Sequence, residues 1–337
     1  RSHDHGETYA WKRSGLAPYH EGQFGEHYVM QIEARGDRVY ATTGAGLLIS
    51  LDNGDSWRLL ENEFSGHGER EDAHGEHAHG TSHLHGLGLD PTDPRVVYVG
   101  AGLAGGIGGE DDYWGGSSFI WKSEDGGSSW RTITDGYPTD VDTSIQDILV
   151  SSHDPAVVYA GTNAEVNVEH PAHDGIGLFR STDAGERWEQ LGTPFSNVFF
   201  VEEDPGDDRV LYVSTTNGVF RTRDGGDTWS NVFPHRTRAL LSHPEADGVV
   251  FAGTQRYDGY WDLFVTEDGG DSWAEGNLTI KMSRAPGSRD YDGINRAGRY
   301  GEKGHIMDLA VDPSSFHLVA ATRGAGLWRA DINRLFE

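Results

Sequence analysis

Histidine is the residue type this sequence concentrates in ways that could do chemistry. There are 17, and His67, His74, His77 and His79 crowd one glycine- and glutamate-rich stretch that runs into His83 and His85. Imidazole is the commonest protein ligand for zinc, copper and nickel. His83 and His85 stand two apart at the start of an apolar run, and a strand there sends both side chains to one side. His305 opens a similar run, and His27 precedes another. These four are the expected transition-metal ligands. His74, His77, His79, His170, His173 and Asp147 are further candidates. The competing reading of a histidine-rich tract is a solvated segment with no fixed ligand.

Carboxylates offer two other chemistries. Glu110, Asp111 and Asp112, in a glycine-rich stretch, could hold calcium through oxygen ligands. Asp147 and Asp308 fall at similar places in two apolar runs, the second of them residues 305–311. A pair of carboxylic acids is what inverting glycoside hydrolysis needs, although strands on opposite sides of a ring would hold such a pair far apart. Arg236, Arg238, Arg289, Arg296 and Arg299, with Tyr291, Tyr300, Glu302 and Asp308, are a further set of candidates.

The elements that position these residues are announced by a repeat. Five octapeptides follow the pattern [Ser/Thr]-x-Asp-x-Gly-x-x-Trp: residues 50–57, 123–130, 181–188, 222–229 and 266–273. Asp and Ser or Thr side chains bond nearby backbone and fold tight turns. Glycine supplies positive φ, and the tryptophan buries a large ring. Asp52, Asp125, Asp183, Asp224 and Asp268 are therefore expected to be structural. The pattern resembles the Asp-box, or BNR, repeat of sialidase-like and sortilin-like β-propellers.

That resemblance implies an all-β, six-bladed propeller. Residues 1–337 are read as one domain, with blades at about 27–60, 83–134, 144–192, 197–233, 237–276 and 305–337. The last unit lacks a fourth strand, and residues 8–14, with Trp11 in the place of a box tryptophan, would close the ring and leave no open edge. In the best-defined unit the strands are expected at 198–201, 210–213, 218–222 and 228–232. The long insertions, at 61–82, 101–118, 163–177 and 276–304, all map to the end of the propeller opposite the octapeptides. Function collects on long loops held by a rigid scaffold.

Composition sets the surroundings. Asp and Glu number 54 against 27 Lys and Arg, a formal charge of -27, and only four of the basic residues are lysine. Acid excess with scarce lysine resembles the proteins of halophilic archaea. Its sign argues against binding nucleic acid. With no cysteine, disulfides and thiolate chemistry are excluded. No apolar run is long enough to span a bilayer, and the resemblance favours an extracellular or cell-surface protein.

The expected function is a binding module whose histidine-bearing face takes a metal, a small ligand, a carbohydrate or a protein. The alternative is a glycoside hydrolase of the sialidase-like kind. The sialidase Arg-Ile-Pro signature is absent, however, and the first inner strand carries no early arginine. A third expectation is an assembly or scaffold protein.

Overall fold

A computed structural model describes residues 29–43, 46–60, 64, 83–102, 118–139, 141, 143–163, 175–254, 263–276, 306–312, 317–322 and 326–332. Among these residues the regular structure is antiparallel β, with no α-helix. Two compact units divide it.

The first unit holds three up-and-down meanders. They are β1 (Val29–Arg35), β2 (Arg38–Thr43), β3 (Gly46–Ser50) and β4 (Arg58–Leu60); β5 (His83–Leu89), β6 (Val97–Gly102), β7 (Phe119–Ser123) and β8 (Arg131–Thr132); and β9 (Ser144–Val150), β10 (Val158–Asn163), β11 (Leu178–Ser181) and β12 (Glu189–Gln190). The second and third meanders join through β6 and β9, where Gly102 pairs with Ser144. Glycine makes this approach possible. A Cβ on Gly102 would lie 2.2 Å from the Ser144 Cα, and one on Gly100 would lie 2.3 Å from Ile145 Cγ2.

The second unit holds β13 (Val198–Asp204), β14 (Asp207–Thr215), β15 (Gly218–Thr222) and β16 (Ser230–Phe233), then β17 (Thr237–Ser242), β18 (Val250–Thr254), β19 (Leu263–Thr266) and β20 (Ala274–Glu275). A three-stranded meander follows, of β21 (Ile306–Asp312), β22 (His317–Thr322) and β23 (Gly326–Asp331). The fourth strand at β16 starts two residues later than the sequence suggests. Thr228 and Trp229 belong to the turn instead: Thr228 donates its N–H to Asp224, and Trp229 Nε1 donates to the Gly226 carbonyl at 3.0 Å. The expected closing strand, residues 8–14, lies outside the described residues.

Each unit has its own core. In the first, Tyr40, Leu47, Leu84, Leu87 and Val97 form one cluster, and Tyr98, Ile120, Ile145, Val158 and Phe179 form another. In the second, Ala239, Phe251, Leu263, Ile306 and Leu318 pack together, and Tyr212, Val219, Leu240 and Val250 pack together. Fully burying one such aliphatic or aromatic side chain contributes about 1.5–3 kcal/mol.

The five octapeptides fold one turn five times over. The first-position hydroxyl donates to the aspartate Oδ1 at 2.6–2.9 Å and accepts the glycine N–H at 2.8–3.0 Å. The same aspartate oxygen accepts the N–H of the seventh residue at 2.7–2.9 Å. The invariant glycine has positive φ, from 81° at Gly54 to 102° at Gly226, and so does the residue before it, including Asn53 at 61° and Ala184 at 57°. Two consecutive left-handed residues are thus required, one more than the sequence pattern implies. The aspartates are exposed, and these donors hold Asp52, Asp125, Asp224 and Asp268 down to about 2, with Asp183 lowered as well.

Candidate functional site at the start of the first strands

The first strands of five meanders repeat one local irregularity. In β1, β5, β9, β17 and β21 the pairing with the second strand loses register near its start. An extra residue there leaves two residues opposite one and re-aims the side chains beside it. The residue just past the break is Gln31 in β1, Asp147 in β9, Ala239 in β17 and Asp308 in β21. Two of the four are carboxylates, and each sits in a different unit.

In the first unit Asp147 is 4% exposed. Its Oδ1 accepts a hydrogen bond from Gln31 Nε2 at 2.9 Å. Gln31 Oε1 in turn accepts the Leu87 N–H at 2.9 Å, which fixes the orientation of the amide. Thr42 of β2 donates to the His85 carbonyl at 2.8 Å, so β1 and β2 are tied to β5, and β1 to β9, by polar side chains. Gln31 escaped notice in the sequence. The shared spacing Val29-x-Gln31-Ile32, Ile145-x-Asp147-Ile148 and Ile306-x-Asp308-Leu309 was the signal that could have found it.

In the second unit Asp308 is partly buried. Its Oδ1 accepts the N–H of the next residue, Leu309, at 2.8 Å. Burial outweighs that bond and pushes the carboxyl up to about 6. Desolvation disfavours the charged form, so the acid stays protonated far above the ordinary range. A carboxylic acid that still carries its proton near pH 6 can deliver it to a leaving group.

The metal-ligand expectations meet the structure unevenly. His83 and His85 both lie in β5, but the pairing breaks step between Leu84 and Leu87. His85 is itself buried at 9% exposure. His27, His305, His74, His77, His79, His170 and His173 lie outside the described residues, as do Glu110, Asp111, Asp112, Arg289, Tyr291, Arg296, Arg299, Tyr300 and Glu302. Among the described residues no group of three or more histidines and acids stands together as a metal-binding cluster. No described helix is long and apolar enough to cross a membrane.

No family model matches the chain. A xyloglucanase of Paenibacillus sp is 26% identical over 212 residues, which cover 51% of this chain and 19% of that protein. Xyloglucanase Xgh74A of Acetivibrio thermocellus is 28% identical over 171 residues, covering 46% of this chain and 18% of that protein. Among solved structures, the GH74 enzyme of Niastella koreensis superposes with a TM-score of 0.60 at 17% identity, over 90% of this chain and 45% of that one. The GH74 xyloglucanase from Xanthomonas campestris gives 0.58 at 18% identity, over 88% and 43%. The fold is of the propeller type. The matched region spans under a fifth of the curated relatives' length, and the chain spans less than half of the solved enzymes. The two curated relatives are xyloglucanases by name, and the likeness to the solved structures shows the fold alone.

Proposed function

We propose that this chain is a carbohydrate-directed hydrolase module with Asp308 as its proton donor. The observation that carries the reading is the carboxyl of Asp308, placed just past the register break of β21 and raised to about 6 by burial. The likeness to two xyloglucanases supports a β-glucan as the substrate class. In such a reaction the acid protonates the glycosidic oxygen as the bond to the anomeric carbon breaks. Water adds to that carbon and gives its proton to a second carboxylate.

The same proposal takes the octapeptides as Asp boxes and the six meanders as blades of one ring, with residues 8–14 as the closing strand. It takes the acid excess as adaptation of an exported protein to high salt, where screening shortens the reach of carboxylate repulsion.

The test is release of reducing ends from xyloglucan and from unbranched β-glucans at molar salt, by the wild-type chain and by Asp308→Asn. The reading expects hydrolysis that falls about 10²- to 10⁴-fold in the variant, the usual contribution of a general acid. Hydrolysis that survives Asp308→Asn removes the proposed donor. A wild-type chain that cuts none of these glucans sinks the hydrolase reading.

A further inference from the structure

Successive meanders within a unit are joined by a polar latch that repeats. A tyrosine in the second strand stands opposite a cation in the third: Tyr98 pairs with Lys122, and Tyr212 with Arg221. Tyr98 Oη and Lys122 Nζ both donate to the Ala184 carbonyl at 3.0 Å. Arg221 Nη1 donates to the Gly269 carbonyl, and to Asp271 Oδ1 at 2.7 Å. A Cβ on Gly269 would lie 3.1 Å from Tyr212 Oη. Ala184 and Gly269 are each the fourth residue of the next meander's octapeptide. Their N–H groups donate to the Ala156 and Gly248 carbonyls, in the turn between the first two strands of that meander. The first seam uses similar parts: Tyr40 donates to the Pro94 carbonyl and Arg58 to the Gly127 carbonyl, each at 3.3 Å. Hydrogen bonds from a charged donor are the stronger kind, and opening such a seam strips them from the neighbour's turn.

The seam between the fifth and sixth meanders departs from this on both sides. Its register pair is Phe251 with Val265, which carry neither hydroxyl nor charge. Leu318 pairs with Ala330 as Val250 pairs with Thr266, so Ala330 takes the first octapeptide place. Ile332, Arg334 and Glu337 then stand where the pattern has Asp, Gly and Trp. Ile332 is 6% exposed and packs in one cluster with Phe251, Val265, Ile306, Leu309 and Leu318. Gly253 permits the approach, since a Cβ there would lie 2.7 Å from the Ile306 Cβ. Apolar contact is non-directional, and here it ties no turn to its neighbour. Among the described residues the sixth meander also has three strands where the others have four.

We propose that the sixth meander, β21 to β23 with Asp308, is a separate cooperative unit that opens ahead of the rest of the second unit. In folds built of repeated modules, stability is set by each module and by its interface with the next. Local opening then follows the seam with least to hold it, and this one has no latch. Opening it carries Asp308 into water while β13 to β20 stay folded. The inference goes beyond the hydrolase reading and is tested without a substrate.

The experiment is native-state hydrogen exchange of the full chain in increasing, sub-denaturing urea, followed by mass spectrometry of its peptides. Amides of β22 are expected to exchange at least about tenfold faster than those of β14 and β18, through an opening that leaves both protected. Gly253→Ala pushes Ile306 away; it should speed exchange in β21 to β23 further and leave β14 unchanged. Tyr212→Phe with Arg221→Val copies the apolar pair into a latched seam, and β13 to β16 should then open separately from β17 to β20. If that double variant fails to fold, the wild-type profile and Gly253→Ala decide. The proposal is overturned if β22 exchanges together with β14 and β18 in one transition, or if Gly253→Ala speeds β14 as much as β22. A folded double variant in which β13 to β20 still open as one shows that the latch does not couple meanders, and overturns it as well.

Discussion

The acids at the octapeptide turns and the acid in β21 differ in every physical respect that sets protonation. Asp52, Asp125, Asp224 and Asp268 are exposed, and hydroxyl and backbone donors converge on each and hold it down to about 2. Asp308 is partly buried, accepts the N–H of its own neighbour, and is pushed up to about 6. The turn acids recur because a turn recurs, and each is satisfied by its own octapeptide. Asp308 occupies a step that Gln31 and Ala239 fill in other first strands, so the strand geometry does not require a carboxylate there. A residue that repeats with its partners marks the scaffold. An ionisable residue at a repeated step that does not require one, with its carboxyl desolvated, marks chemistry.

The largest effect belongs to the scaffold side of that contrast. Trp188 is 2% exposed, and its Nε1 donates to the Ile133 carbonyl at 2.7 Å. Trp188→Ala is expected to cost about 3–5 kcal/mol in chemical unfolding. A loss of that size locates the octapeptide's contribution in its buried ring rather than in its acid, and Asp183→Ala should cost visibly less.

Asp308→Asn sharpens the other side. A folded-state value above the unfolded one means that ionising Asp308 opposes folding. Stability is therefore lost as pH rises from the ordinary carboxylate range through about 6. The neutral amide removes that penalty, so the variant melts higher than wild type at pH 8 and within error of it at pH 4. An unchanged melting point at pH 8 breaks the contrast.

The turn acids give the opposite sign. Their folded values lie below the unfolded range, so their contribution is present above about pH 4 and fades as pH falls toward 2. Replacing Asp52 and Asp268 by alanine should lower the melting point modestly at pH 7 and flatten its decline in acid. Smaller still is the effect of bulk charge. The melting point should rise between low and molar potassium chloride as carboxylate repulsion is screened. A melt indifferent to salt counts against halophilic adaptation.

The turns were legible in the sequence because their chemistry is local. Hydroxyl, aspartate and glycine bond within seven residues, and five copies repeat the spacing. The strand-start site was legible only in part. Asp147 and Asp308 were visible as acids in apolar runs, but the register break that gives them a common step depends on the partner strand. Gln31 was missed because its two partners, Leu87 and Asp147, come from other meanders. Arg236 and Arg238 were noted as candidates, while the ring beneath them, Phe199 of β13, belongs to an earlier strand and emerges only from packing.

The central claim is that the acid in β21 holds its proton where the turn acids have long lost theirs. Aspartate carboxyl carbons followed by NMR across pH 2 to 8, in the wild-type chain and in Asp308→Asn, test it without reference to any substrate. The account predicts one resonance with a midpoint near 6 that disappears in the variant, while the turn aspartates titrate near 2 in both. A spectrum in which Asp308 titrates in the ordinary range contradicts it.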